Sequence, residues 1–333
     1  MLKGLYILKE SSFKKIYGAE EKKEINKLVD IYGPLKTPEE IKQNPEILKD
    51  LEVIFSGWGG PKIDEEFLQY APNLKMVFYG AGTIKNIVTE AFWDQEIRIT
   101  SAYAANAVPV AEYTLSQILF SLKRGWDFIR KIEEKGEHIH KFKFPSVPGA
   151  YRSKVGIISL GMIGRMVCEY LKRFDVKVLA YDPFVDKKDA DKLGVELCSL
   201  ENIFKESDVV SLHAPWLKET EGMIRGEHFK MMKDKATFIN TARGAVVRED
   251  EMLNVLKNRP DLYAILDVTY PEPPDKNSPI FDLSNVVLTP HIAGSMDKEC
   301  QRMGRYMLNE LELYLDNKPL KWEISKEKFK ILA

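Results

Sequence analysis

The chain has 333 residues, of which 49 are Lys or Arg and 50 are Asp or Glu, so its formal net charge is −1. This balance gives no electrostatic basis for coating nucleic acid or an anionic membrane, and the 44% hydrophobic content excludes a wholly disordered chain. The length predicts about two domains. Three widely spaced cysteines indicate a reducing, cytoplasmic setting, and the sequence contains neither a metal-ligand spacing nor a membrane-spanning run.

In chain order, short β-rich runs alternate with charged stretches of helical periodicity. The runs are KGLYIL, LEVIF, KMVFY, KVGIIS, VKVLAY, DVVSLH, ATFINT, YAILDV and NVVLTP. This alternation predicts an α/β protein whose parallel sheets are covered by helices on both faces. The first group, within residues 3–99, supplies about four strands and ends at Ile97-Arg98-Ile99, and the second group lies within 154–290. This grouping predicts two Rossmann-like or flavodoxin-like domains.

The order of the elements also predicts how the domains are assembled. We expect a discontinuous substrate-binding domain, residues 1–107 plus 296–333, and an inserted NAD-binding domain, residues 108–295, with a cleft between them. A long helix pattern, Met296–Leu315, would return the chain to the first domain. The alternative is two consecutive domains divided near residue 150.

A glycine turn follows the strand KVGIIS. The segment SLGMIG (residues 159–164) precedes a helix pattern and has serine at the first glycine position of a dinucleotide-binding turn. Gly161 would let the backbone approach a pyrophosphate, and Gly164 would let the helix pack on the strand. The next strand ends at Asp182, which is suited to accept hydrogen bonds from ribose hydroxyls and to repel a 2′-phosphate, so we predict NAD rather than NADP. Alternatively, Asp182 only caps the turn before Pro183.

Three other strand ends carry polar residues that could form one site: Arg243, Glu272 and His291. Parallel sheets bind ligands at the carboxyl ends of their strands. We predict that His291 transfers a proton, that Glu272 keeps it oriented and basic, and that Arg243 binds a carboxylate and polarises a carbonyl. The structural alternatives are a loop histidine, a solvated turn acid and a surface ion-pair partner.

Together these motifs resemble the D-isomer-specific 2-hydroxyacid dehydrogenases. The motifs occur in family order over nearly the whole chain, at residues 106–115, 155–164, 181–183, 212–215 with Thr220, 240–244, 266–268 with Glu272-Pro273, and 290–294. The resemblance implies the catalytic residues Arg243, Glu272 and His291. It also implies a cofactor site formed by Ser159, Gly161, Met162, Ile163, Gly164, Asp182, His213, Ala214, Pro215, Thr220, Thr241, Ala242, Arg243, Asp267, His291 and Gly294. In this site Asp267 would contact the nicotinamide carboxamide.

The resemblance further implies that Ala81 and Gly82, together with Arg243, bind the substrate carboxylate. The chain would then be an NAD-dependent enzyme that interconverts a small D-2-hydroxy acid and its 2-keto acid. It would form a homodimer through the helix Val110–Leu122, for which Pro109 suits the first turn. The alternatives are a short-form 3-phosphoglycerate dehydrogenase and an NAD-binding regulatory protein on the same fold. The sequence departs from the family pattern at Ile84-Lys85, where members often have an Asp-Asn pair, and this departure together with Trp58 leaves the identity of the hydroxy acid open.

Overall fold

The computed structural model describes residues 1–140 and 147–331. The chain forms two compact units, Met1–Ala107 with Ser295–Ala333, and Val108–Gly294. Each unit contains its own all-parallel sheet, which confirms the predicted α/β class. Within the described parts of the chain, no helix has the length and apolar character needed to cross a membrane.

The first unit is built on a five-stranded sheet in the order β2-β1-β3-β4-β5. Its strands are β1 (Leu2–Tyr6), β2 (Val29–Ile31), β3 (Val53–Ser56), β4 (Met76–Tyr79) and β5 (Arg98–Ser101). Its helices are α1 (Glu10–Ile16), α2 (Ala19–Leu28), α3 (Pro38–Gln43), α4 (Glu65–Tyr70), α5 (Glu90–Trp93), α13 (Cys300–Leu315) and α14 (Lys326–Ile331). Two clusters of buried apolar side chains cover the sheet.

The tail of the chain pairs with the edge strand β5 of this unit. The N–H of Ser101 donates to the carbonyl of Trp322 (3.2 Å), and the N–H of Ile324 donates to the carbonyl of Ile99 (3.0 Å). The fully buried Glu310 on α13 accepts the N–H of Trp322 at 3.1 Å. Burial raises the pKa of Glu310. The tail is therefore fixed by both the sheet and α13.

The second unit has a seven-stranded sheet in the order β12-β11-β10-β9-β6-β7-β8. Its strands are β6 (Lys154–Ile158), β7 (Lys177–Tyr181), β8 (Glu196–Leu197), β9 (Val209–Leu212), β10 (Thr237–Asn240), β11 (Tyr263–Leu266) and β12 (Val286–Leu288). Its helices are α7 (Gly125–Lys135), α8 (Met162–Leu171), α9 (Lys187–Leu193), α10 (Leu200–Glu206), α11 (Gly226–Lys230) and α12 (Glu249–Asn258). The strand order reverses at β6 and β9, which is where doubly wound sheets open a ligand crevice.

Both faces of this sheet are buried, as a parallel sheet requires. Val155 and Ile157 of β6 belong to one apolar cluster, and Ile158 belongs to the cluster on the other face. The strand ends that carry the predicted polar residues therefore emerge at one edge of a rigid, covered sheet.

The structure corrects the predicted start of one helix and adds two strands. Helix α6 spans Tyr103–Leu122, so Pro109 lies inside it rather than in its first turn. The apolar, alanine-containing segment before Pro109 continues the helical pattern toward the N-terminus, although proline cannot supply one backbone hydrogen bond. The unpredicted strands β2 and β8 are short and partly exposed, and so lack the apolar runs that indicate the others.

Candidate active site

The glycine turn after β6 leaves open space beside one glycine and none beside the other. A Cβ on Gly164 would lie 2.1 Å from the carbonyl oxygen of Ser159, whereas a Cβ on Gly161 would meet no heavy atom of the described residues within 4 Å. Gly164 thus allows α8 to pack closely on the strand, while the backbone at Gly161 is accessible at the start of α8. An accessible helix N-terminus of this kind fits the pyrophosphate of a dinucleotide.

Asp182, at the end of β7, is bound to this turn. One carboxylate oxygen accepts the N–H of Leu160 at 2.7 Å and lies 3.4 Å from the hydroxyl of Ser159, and the other oxygen accepts the N–H of Phe184 at 2.8 Å. Ser159 itself has φ +75°, a left-handed conformation that favours glycine. Asp182 therefore caps the turn that follows it, and it also stabilises the glycine turn.

The loop after β9 contains the residues predicted for the adenine side. His213 is 8% exposed, and its Nε2 lies 3.0 Å from the hydroxyl of Ser211. Its Nδ1 has no hydrogen-bond partner within residues 1–140 and 147–331. Burial lowers the pKa of His213 to about 3. Thr220 accepts the N–H of Leu217 at 2.9 Å, so its hydroxyl stabilises the loop that continues from Ala214 and Pro215.

Arg243 is presented by the turn that follows β10. The buried Asn240 donates to the carbonyl of Arg243 (3.1 Å) and accepts the N–H of Ala242 (3.0 Å). The guanidinium of Arg243 donates to the carbonyl of Ala242 at 2.6 Å. Burial lowers the pKa of Arg243, and the nearby Glu272 carboxylate opposes that shift. A partly buried cation beside Glu272 is suited to bind an anion.

The turn containing Arg243 lies against the segment that leads to Glu272. A Cβ on Gly244 would be 2.1 Å from both the carbonyl carbon and the carbonyl oxygen of Thr269. Only glycine allows this approach without a backbone shift. The close packing places the ends of β10 and β11 side by side.

Glu272 and His291 form a direct pair. The Nδ1 of His291 lies 2.6 Å from a carboxylate oxygen of Glu272, and the two side chains are 47% and 40% exposed. With Nδ1 engaged, Nε2 is the ring nitrogen available for proton transfer. Arg243, Glu272 and His291 thus come from three strand ends of one unit.

A buried carboxylate fixes the loop that contains His291. Asp267 is 1% exposed and accepts the hydroxyl of Thr289 (2.6 Å) and the N–H groups of Ile292 and Ala293 (both 2.8 Å). The carbonyl of Asp267 also accepts the N–H of His291 (3.0 Å). The sequence indicated Asp267 only as a cofactor contact. Its role in the loop depends on pairing across strands that sequence spacing does not reveal.

Two hydroxyls on α6 contact the same loops, and sequence reasoning missed both. The hydroxyl of Thr114 lies 3.0 Å from that of Thr241, and the hydroxyl of Tyr113 lies 3.1 Å from that of Thr289. The only sequence signal was the presence of polar groups within an apolar helix pattern. Gly294, the remaining predicted cofactor residue, is half-buried at the end of the His291 loop.

The predicted substrate loop lies at the end of β4 in the first unit. The hydroxyl of Ser101 is 2.8 Å from the carbonyl oxygen of Ala81 and 2.5 Å from that of Gly82. A Cβ on Gly82 would meet only the amide nitrogen of Asn106, at 3.9 Å. The carbonyls of this loop are therefore engaged on the buried side, and Gly82 faces open space. Trp58, at the end of β3, is 37% exposed.

Comparison with known proteins identifies the family of this chain. A family model described as "D-isomer specific 2-hydroxyacid dehydrogenase, NAD binding domain" matches residues 116–293. The chain belongs to the D-isomer specific 2-hydroxyacid dehydrogenase family. The predicted family and the NAD cofactor are thereby confirmed, because the matched region is the NAD-binding domain of that family.

Individual relatives of this family member are similar over most of its length. The putative 2-hydroxyacid dehydrogenase YoaD of Bacillus subtilis is 32% identical over 241 residues, which cover 70% of this chain and 68% of YoaD. The D-3-phosphoglycerate dehydrogenase of Archaeoglobus fulgidus is 33% identical over 250 residues, 75% of this chain and 47% of that enzyme. The chain thus spans about half the length of the first curated relatives it matches.

Solved structures share the fold of this family member. An acyclic imino acid reductase (Bsp5) in complex with NADPH and D-Arg is 26% identical, with a TM-score of 0.72 over 97% of this chain and 100% of that one. The apo D-mandelate dehydrogenase of Rhodotorula graminis is 20% identical, with a TM-score of 0.81 over 98% of each chain, a likeness of fold alone.

Proposed function

We propose that the protein is an NAD-dependent oxidoreductase that interconverts a small D-2-hydroxy acid and its 2-keto acid. The observation that carries the proposal is the 2.6 Å contact between Glu272 and His291. The Glu272 carboxylate is also near enough to the Arg243 guanidinium to raise the pKa of Arg243 against the effect of burial. An imidazole oriented by a carboxylate beside a buried cation is suited to proton transfer at an oxygen next to a carboxylate.

Each residue has a distinct task in the reduction of the keto acid. NADH, when bound, would supply the hydride for reduction of the keto carbon. His291 donates a proton to the carbonyl oxygen as it becomes an alkoxide, and Glu272 stabilises the imidazolium before transfer. Arg243 binds the substrate carboxylate and polarises the carbonyl, and the backbone of Ala81 and Gly82 is proposed to donate to that carboxylate as well. In oxidation the proton and the hydride move in the opposite directions.

The residues predicted to contact the cofactor are proposed to bind different parts of the dinucleotide. Backbone N–H groups at Gly161, Met162 and Ile163 would bind the pyrophosphate at the start of α8, and Asp182 would bind the adenosine ribose. A carboxylate at that position repels a 2′-phosphate, so NAD is proposed to be preferred over NADP. The remaining predicted residues, from His213 to Thr220 and from Thr241 to Gly294, are proposed to line the adenine and nicotinamide sides respectively.

The test is the rate of NADH oxidation at 340 nm with a panel of 2-keto acids. His291→Ala should lower kcat by about 10²–10⁴-fold, since a general acid contributes about that much. His138→Ala, which removes an exposed histidine, should leave kcat unchanged. A wild-type kcat in His291→Ala would reject the proposal.

Two alternatives give different results in the same panel. The relatives named D-3-phosphoglycerate dehydrogenase favour an enzyme of that specificity, for which 3-phosphohydroxypyruvate would be turned over fastest. A regulatory protein of this fold would bind NADH and oxidise it with no member of the panel.

We also propose a homodimer and a cytoplasmic location. Phe120 at the end of α6 and Ile129 and Ile132 on α7 are 37–39% exposed, which supports association through this part of the second unit. Cys168, Cys198 and Cys300 are free thiols, as a reducing compartment favours. Light scattering should give twice the chain mass, and Ile132→Glu should give the monomer mass if this surface is the interface.

A further inference from the structure

The paired hydroxyls on α6 suggest a role beyond packing. Tyr113 and Thr114 are adjacent, and each contacts a different loop of the candidate site: Tyr113 contacts the loop of His291 through Thr289, and Thr114 contacts the turn of Arg243 through Thr241. We propose that Tyr113 and Thr114 are positioning residues that set the places of the proton donor and of the carboxylate-binding cation independently. This inference rests on the proposed function.

The first contact continues into the buried carboxylate. The hydroxyl of Thr289 donates to Asp267 at 2.6 Å, so it accepts from Tyr113 at 3.1 Å. The same Asp267 oxygen accepts the N–H of Ile292, on the far side of His291. A hydrogen-bond chain therefore runs from α6 through Thr289 and Asp267 to both sides of His291. Chains of this kind in a buried setting strengthen one another, and loss of one member weakens the next.

The backbone of His291 has φ +55°, a left-handed conformation that is uncommon for residues other than glycine, so contacts that hold this loop in place matter for the position of the imidazole. The loop of His291 follows strand β12, and the side chains of Asp267 and Thr289 form hydrogen bonds that hold it. Tyr113 of α6 is half-buried, and its phenol contacts Thr289 of this pair. The imidazole can then keep its 2.6 Å contact with Glu272.

The second contact acts on a different group. Thr114 is fully buried, and its hydroxyl partner Thr241 lies between Asn240 and Ala242, the two residues that hydrogen-bond across the turn of Arg243. Loss of the Thr114 hydroxyl would leave the buried hydroxyl of Thr241 without this partner and loosen the turn. The guanidinium binds the substrate carboxylate, so the consequence should appear mainly in substrate affinity.

Steady-state kinetics of four single variants and one double variant test this separation. Tyr113→Phe and Thr289→Val should lower kcat by about five- to tenfold with KM for the keto acid changed less than twofold, as expected for one lost hydrogen bond acting on the transition state. Thr114→Val should raise that KM by about five- to tenfold with a smaller effect on kcat. Thr289→Ser, which keeps the hydroxyl that Thr289→Val removes, should have the wild-type kcat. The double variant Tyr113→Phe/Thr289→Val should be no slower than Thr289→Val alone, because both changes break one chain.

Amide hydrogen exchange tests positioning without reference to activity. The amides of Ile292 and Ala293 should exchange faster in Tyr113→Phe and Thr289→Val and at the wild-type rate in Thr114→Val. Wild-type kcat and wild-type exchange in Tyr113→Phe would overturn the inference, and so would the same kinetic change in Tyr113→Phe and Thr114→Val. Failure of the proposed function itself would be detected by a separate measurement, the kcat of His291→Ala, which would then equal that of the wild type.

Discussion

The peptide group of Thr269 occupies the space into which a side chain on Gly244 would project. The distance from an added Cβ to the Thr269 carbonyl oxygen is 2.1 Å, which is far inside van der Waals contact. The approach is between two backbones, so no side-chain rotation can relieve it. Two catalytic candidates adjoin these touching segments: Arg243 directly precedes Gly244, and Glu272 lies three residues after Thr269.

Gly244→Ala should therefore separate the two segments. The free energy of unfolding should fall by about 1–3 kcal/mol, as for other overpacked sites, and kcat/KM should fall with it because Arg243 moves relative to Glu272. Urea unfolding and steady-state kinetics measure the two effects. Unchanged stability in this variant would contradict the close approach.

Gly161→Ala, at the glycine turn, should weaken cofactor binding and leave stability almost unchanged. The added methyl group meets no protein atom within 4 Å, and so stability should change by less than about 0.5 kcal/mol. The methyl group would nevertheless occupy the space proposed for the pyrophosphate. Calorimetric titration should show NADH binding at least about tenfold weaker, a loss of about 1.4 kcal/mol. Unaltered NADH affinity would place the pyrophosphate elsewhere.

Ser159 is expected to lower stability through its backbone. Its φ of +75° costs an L-residue about 1–2 kcal/mol relative to glycine. Allowing for the greater freedom of glycine in the unfolded chain, Ser159→Gly should raise the free energy of unfolding by about 0.5–1 kcal/mol. Ser159→Ala is the matched control, because it loses the hydroxyl but retains the Cβ. A gain in stability in both variants would implicate the hydroxyl rather than the backbone.

His213 should make stability depend on pH. Burial lowers its pKa from 6.5 to about 3, so in acid the unfolded chain takes up a proton that the folded chain refuses. Stability is therefore retained above pH 6.5 and is lost as the pH falls toward 3, by about 1.4 kcal/mol for each pH unit. Urea unfolding between pH 7.5 and 4.5 measures the slope, which His213→Gln should reduce and His138→Gln should not. The slope left in His213→Gln should include His228, whose pKa burial also lowers.

The sheet framework could be predicted from the sequence because buried parallel strands are continuous apolar runs. Each of the predicted runs overlaps a strand of the structure. The strand β2 could not be found in this way, because it contains Asp30 and is only three residues long. The start of α6 was misplaced because Pro109 suits a first turn, and only the packing of the preceding residues reveals that the helix begins at Tyr103.

The sequence predicted the three candidate catalytic residues, but it did not predict the hydrogen bonds that hold their loops in place. Arg243, Glu272 and His291 stand out because charged groups directly after buried strands need a reason to be there. The contacts of Asp267 with Ile292 and Ala293 join segments about 25 residues apart in sequence, and no local pattern encodes them. The same holds for Thr114 and Thr241, which are 127 positions apart.

The pairing of the chain's tail with β5 has a consequence for behaviour in concentrated solution. The backbone groups of Ile99 and Ser101 that bond Trp322 and Ile324 would otherwise form an unprotected β-edge, which readily adds a strand from another molecule. Detachment of this segment would therefore convert a closed border of the sheet into a template for edge-to-edge polymerisation.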